Sequence, residues 1–210
     1  MSGLVEVTGP AVEPISRNEA REHLRLDDDV DDSQVRAYIT AARIWAENYT
    51  GRKFINTTVD QFFDVAGRDP LLREGIKTGY SGNQIKDGLE LGLSPVASVS
   101  EIYAYDDDNS ESVWDASNYY VDTAGMIARV VLRDGGSWPT DLRNANGIKV
   151  RYVVGFGTSP NSVPEPIRLA IMQYMTFAYE HRGDFERYPP PTPPAILTTL
   201  LQPYRVVRFI

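Results

Sequence analysis

Along the first fifty residues the apolar positions recur at helical spacing. "ISRNEAREHLRL" (15–26) predicts a short helix to about Leu26 with Ala20 and Leu24 inward. Ser16 and Glu19 sit at the spacing of a capping box, each side chain able to reach the other's amide. A longer helix is predicted from about Asp32 to Thr50, its inner face formed by Val35, Tyr38, Ile39, Ala42, Trp45, Ala46 and Tyr49. Gly51 is its expected stop. From Asn56 to about Phe156 the period changes to two. Leu89, Leu91 and Leu93 fall on one face; Ile102 and Ala104 oppose Glu101, Tyr103 and Tyr105; Ile148, Val150, Tyr152 and Val154 oppose Lys149, Arg151 and Val153. Turn-forming runs at 106–110, 123–125 and 133–139 separate these segments, and 67–84 reads as a glycine-rich loop. Helical spacing returns with Ile167, Ala170, Ile171, Tyr174, Met175 and Ala178, after a second candidate capping box at Ser162 and Glu165.

The pattern predicts an α+β chain. Two N-terminal helices and one long C-terminal helix form a small bundle, an antiparallel sandwich or barrel-like part is inserted, and an extended C-terminal arm follows. The expected divisions are an N-terminal arm (1–15), a helical part (16–55), the β insertion (56–158), the long helix (159–187), and a proline-rich spacer with docking tail (188–210).

That tail, "YPPPTPPAILTTLLQPYRVVRFI", changes the picture. It holds six of the chain's 14 prolines and no acid, while the whole chain carries a formal charge of −8. Arg205 and Arg208 give residues 188–210 a charge of +2, which leaves −10 on the rest. The prolines 189–194 form a semi-rigid spacer of roughly 19 Å at ~3.1 Å per residue. Leu197, Leu200 and Leu201 share a helical face that Pro203 must end. "YRVVRFI" then reads as an extended strand suited to a partner's groove or sheet edge. The alternative is a tail folded back on its own core.

The acidic balance argues against general nucleic-acid binding, which needs clustered Lys and Arg. There is no cysteine, so disulfides and thiolate metal sites are excluded. No signal peptide and no apolar run of membrane-spanning length is evident, which predicts a soluble chain made and used in a cytoplasm.

Candidate chemistry is thin. "LDDDVDDSQ" (26–34) lacks the glycine and the late glutamate of a calcium loop, so Asp27, Asp29 and Asp31 read as a helix cap. His23 and His181 stand in no catalytic motif. "GFGTSP" (155–160) has Pro160 where a phosphate loop needs glycine, and no lysine follows. The expectation is no enzyme, no cofactor and no metal. A hydrolase or carbohydrate-binding module using the acidic loops is the competing reading from another class.

Several segments in order resemble the head–tail connector (adaptor, or head-completion) proteins of long-tailed bacteriophages and gene transfer agents. They are Pro14-Ile15-Ser16 with "EAREHLRL", "YTGR" (49–52), "LSPVASVSEIY" (93–103), "YYVD" (119–122), "GMI" (125–127), "WP" (138–139), "IKVRYVVGFG" (148–157), "VPEPIRLAI" (163–171) and "LLQPYRVVRF" (200–209). The resemblance spans about 14–210, with departures in the loop at 67–84 and the acidic hairpin at 105–112. It implies a structural virion protein at the head–tail interface, assembled in the host cytoplasm. Such proteins form a ring, typically of twelve copies, under the portal, extend the DNA channel without gripping DNA, and seat a stopper or tail-completion protein. No membrane is involved. It also implies that the tail reaches the portal, through Leu197, Leu200, Leu201, Tyr204, Arg205, Val206, Arg208 and Phe209. A stopper or tail-terminator ring subunit is the nearest alternative.

Overall fold

In the computed structural model, residues 3–26, 32–64, 88–183 and 192–207 are described. The chain divides into two compact units, residues 1–9 with 56–155 and residues 10–55 with 156–210. Neither unit is contiguous in sequence.

Among the described residues, the first unit is built of antiparallel strands, with one short 3-10 turn at Ala116–Asn118. A five-stranded sheet runs in the order β1 (Gly3–Thr8), β2 (Thr57–Phe63), β8 (Ile148–Val154), β4 (Val96–Tyr105), β5 (Glu111–Val113). A three-stranded sheet runs β3 (Gly88–Glu90), β7 (Arg129–Leu132), β6 (Tyr119–Asp122). The alternation read from the sequence sets the faces: Ile102, Ile148, Val150, Tyr152 and Val154 are buried together with Val59, Phe63, Leu89, Leu91 and Val130 in one core shared by both sheets. Among the described residues the sheets stay open and close no barrel. Trp114 stacks between Tyr119 and Trp138, at centroid distances of 4.8 and 5.0 Å, and seals one side. A buried amide crosses the core: Gln61 Oε1 accepts from the Gly92 amide at 2.7 Å and from the Tyr152 hydroxyl at 3.0 Å. Those bonds satisfy groups that would otherwise be costly to bury.

Residues 3–8, expected to be part of an N-terminal arm, are an edge strand paired with β2. The acidic stretch 106–110 is the tip of the β4–β5 hairpin. Asp106 Oδ1 accepts from the Ser110 amide at 2.8 Å, and Asn109 takes a left-handed φ of 63°. The loop at 67–84 lies outside the described residues.

The second unit is helical, with α1 (Arg17–Leu24), α2 (Asp32–Thr50), α3 (Glu165–Glu180) and α4 (Ala195–Leu201). The capping box at Ser16 and Glu19 is formed. The one expected at Ser162 is not. Ser162 closes a short 3-10 turn instead, and α3 starts at Glu165 behind Pro164 without a side-chain cap. The Ser162 amide, which Glu165 would have to reach, donates instead to the Ser159 carbonyl at 3.0 Å. Ala20, Val35, Ile39, Ala42, Ala46, Ile167, Ala170, Ile171 and Met175 build the core with Phe54 and Ile55. Leu197 and Leu201 belong to the same cluster. "GFGTSP" is part of the return connection to this unit, with the Phe156 amide donating to the Phe54 carbonyl at 3.0 Å.

Candidate docking surface at the chain end

The sequence predicts an extended docking arm at the C-terminus. Its described part, 192–207, is instead folded onto the helical unit. Leu197 and Leu201 are 0 % exposed, Leu200 is half-buried, and only the opposite face of α4, with Ile196, looks outward. The reason is geometric. Leucines on one face of a two-turn helix pack into the core of the helical unit, and burying Leu197 and Leu201 fully is worth roughly 1.5–3 kcal/mol each.

Pro203 ends α4 as expected, and residues 202–204 tighten into a 3-10 turn. The chain then runs across the C-terminal end of α2. Gly51, at φ 70°, closes that helix, with its amide donating to the Glu47 carbonyl at 2.8 Å. The last carbonyls of a helix have no partner within it. Here the Thr50 carbonyl accepts from the Val206 amide at 2.8 Å. Tyr49 donates its hydroxyl to Gln202 Oε1 at 3.0 Å, and Arg52 Nε donates to the Tyr204 carbonyl at 2.5 Å. The Arg205 guanidinium lies 5.5 Å from the Tyr49 ring centre. Burial holds the Arg52 guanidinium below its ordinary pKa. "YTGR" (49–52) and "QPYRV" (202–206) are thus two halves of one seat.

A second pairing of distant segments holds the other end of the unit. Arg168, at the start of α3, donates to the Pro14 carbonyl at 3.1 Å, to Glu165 at 2.7 Å and to Glu19. Burial opposes the charge on Arg168, yet Glu165 and Glu19 outweigh it and raise its pKa. Glu19 is held below the usual carboxylate range chiefly by its bonds from Ser16, with Arg168 adding to them. Along α2, Arg43 bridges Glu13 at 2.7 Å and Glu47 at 3.1 Å, and Lys53 reaches Glu47 at 3.2 Å. These charges sit among apolar neighbours because each has a partner.

Among the eight residues assigned to docking, Leu197 and Leu201 are buried, Leu200, Tyr204 and Val206 are half-buried, and Arg205 is exposed beside Val207. Arg208 and Phe209 lie outside the described residues, as do the prolines 189–191. The seat on α2 escaped the sequence reading because its two halves lie about 150 residues apart and share no period. Gly51 was the available signal: a glycine-closed helix end leaves carbonyls that another segment can take in place of water.

Among the described residues, no group of three His, Asp or Glu is placed to hold a metal ion, and no helix is long and apolar enough to cross a membrane. Asp27, Asp29 and Asp31 fall outside the described residues, while Asp32 takes Arg17 and Arg21 at 2.5 and 3.2 Å. His181 Nδ1 lies 2.8 Å from the Phe177 carbonyl at the end of α3. Both histidines border a cavity of about 290 Å³ with Gln173, Thr176, Phe177, Glu180 and Pro194.

Residues 17–111 match the family of phage gp6-like head–tail connector proteins, in agreement with the resemblance read from the sequence. No curated protein sequence matches the chain significantly. Its fold is similar to a chain from the neck of an empty gene transfer agent particle computed with C6 symmetry, at TM-score 0.72 and 22 % identity. A chain from the virion of a native gene transfer agent particle gives 0.73 and 21 %, and one from a native neck computed with C12 symmetry gives 0.70 and 21 %. Each likeness covers 99 % of this chain and 97 % of the other. At these identities the likeness establishes the fold.

Proposed function

We propose that this chain, matched over residues 17–111 to the phage head–tail connectors, is an adaptor subunit of a tailed phage or gene transfer agent. Copies form a ring under the portal, extend the DNA channel, and offer a platform to the stopper or tail-completion protein. The observation that carries this reading is the end-to-end likeness to neck chains, which leaves almost no part of either chain unmatched. A formal charge of −8 suits a conduit wall, because an acidic surface repels passing phosphates instead of holding them. The protein acts by assembly, without catalysis.

The portal contact falls on the end of the chain. Leu197 and Leu201 root the segment in the helical unit, Leu200 and Tyr204 lie partly open beside them, and Arg205, Val206, Arg208 and Phe209 form the contact. One such short segment binds weakly, and a ring of them holds by avidity.

The test is co-sedimentation with the portal ring of the same particle, comparing the full chain with one ending at Tyr204. That cut spares α4 and the core. Loss of co-sedimentation on truncation is the expected result. Equal binding moves the contact to the body, and no binding by either chain favours the stopper or tail-terminator alternative.

A further inference from the structure

The five-stranded sheet ends on two unlike edges. At one, among the described residues, β1 pairs with β2 alone, and all six of its residues are exposed. It carries Leu4, Val5 and Val7 at 43, 52 and 46 % exposure, with neither lysine nor proline in the strand. Edge strands of monomeric proteins are normally blunted by such residues, because an open apolar edge recruits other strands. Here the devices present are Glu6 and an irregular register between Glu6 and Thr8. At the other edge, β5 ends in Val113, 61 % exposed.

The pairing registers relate these two valines. Residues directly opposed across a sheet share a face, as do alternate residues of one strand. Gly3, Phe62, Lys149, Tyr103 and Val113 form one row across the sheet. Val5, Asp60, Arg151 and Glu101 form the neighbouring row. Val5 and Val113 therefore lie on the same face, at opposite edges. Between them the face is built of paired groups: Arg151 grips Asp60 with two bonds of 2.7 Å, and Lys149 sits 3.9 Å from the Tyr103 ring centre and 2.6 Å from Glu111. The charged groups in the middle of this face are paired, and the exposed apolar side chains lie at its two outer strands.

We propose that β1 of one copy adds to the β5 edge of the next, so that the sheet continues from subunit to subunit around the ring. The inference rests on the ring reading above and specifies its contact. A rotational ring needs two different, mutually complementary patches on each copy, and this sheet offers two different edges. Its five strands alternate in direction, so β1 and β5 run the same way. A rotation of one twelfth of a turn, as in the C12 neck, leaves strand direction nearly unchanged, so the joint is parallel. Parallel pairs are slightly weaker than antiparallel ones, and β5 offers only three residues. The joint is accordingly weak for two copies and durable only when the ring closes.

The chain has no cysteine, which permits a clean test. The double variant Val5→Cys, Val113→Cys is oxidised at high protein concentration and run under denaturing conditions, beside each single variant. Both sites are more than half exposed, so the fold tolerates the changes. The expected result is a ladder of trimers and larger species from the double variant, with nothing beyond dimers from the singles. Strong dimers from Val5→Cys alone would overturn the proposal in favour of a two-fold pair of β1 strands. A double variant that behaves as the sum of the singles overturns it too. Sedimentation of the unoxidised chain, free and with the portal, then separates the two failures. Ring-sized species without the ladder leave the ring reading standing, whereas their absence in both samples removes it as well. Val5→Lys gives an independent check. It is expected to abolish the large species, and Val5→Lys with Val113→Glu to restore them; no effect of Val5→Lys contradicts the joint.

Discussion

Gly51 shows how much a single backbone angle decides. Its φ of 70° lies where only glycine is comfortable, and that turn frees the Thr50 carbonyl for the Val206 amide. A Cβ at this position would stand 3.6 Å from Val206 Cβ, an ordinary contact, so the cost of a side chain is conformational and not steric. Gly51→Ala is expected to lower the unfolding free energy by about 1 kcal/mol in urea titrations. Gly51→Asn should cost less, since asparagine tolerates the left-handed region better than other side chains. Equal stability of Gly51→Ala and the parent chain would show that the turn tolerates a side chain.

At the scale of elements, α4 distinguishes an arm from a wall. If it only docked elsewhere, shortening its leucines would leave the isolated protein unchanged. Because Leu201 is buried in the helical core, Leu201→Ala is expected to cost about 2–5 kcal/mol, while Ile196→Ala on the open face stays within about 0.5 kcal/mol. Equal and negligible effects in chemical denaturation would return α4 to the role of a loose arm. The sequence made α1, α2 and α3 legible, since each keeps a stripe at helical spacing over two turns or more. The strands through Ile102 and Val150 were legible for the matching reason, one apolar face and one polar. β1 was not: as an edge strand exposed on both faces it has no alternation to read. Ser162 carried the letters of a cap, but its own amide, which would complete the box, is spent on the Ser159 carbonyl in the preceding 3-10 turn. The tail's three leucines were visible as a stripe, yet a stripe does not say whether its cover belongs to the same chain. Arg43, Glu47 and Arg168 were missed as interior residues because charge is a poor guide to burial where partners arrive from distant segments.

Over the whole molecule, several carboxylates titrate below their ordinary range: Glu19 through Ser16, Glu111 through Lys149, Asp115 through the Ser117 amide, and Asp122 through the Ala124 amide. A folded-state pKa below the unfolded one means that the unfolded chain takes up protons first as pH falls. Their stabilisation is therefore fully present above the normal carboxylate range and disappears as pH drops through the lowered values. Thermal melts are expected to be level from pH 7 to about 5 and to fall steadily below about 4. Ser16→Ala, which removes the main cause of the Glu19 shift, should make that fall shallower. A steeper one would contradict the assignment.

The chain leaves the helical unit after Ile55 and returns to it at Phe156. At that return the Phe156 amide meets the Phe54 carbonyl at 3.0 Å. A folded insertion whose ends are held together acts on its host as a covalent staple does: it removes the freedom of a long loop from the unfolded host. For a loop of about 100 residues, a disulfide closing the same span is worth about 4.7 kcal/mol. In a chain without cysteine, the sheets serve the helices as their cross-link.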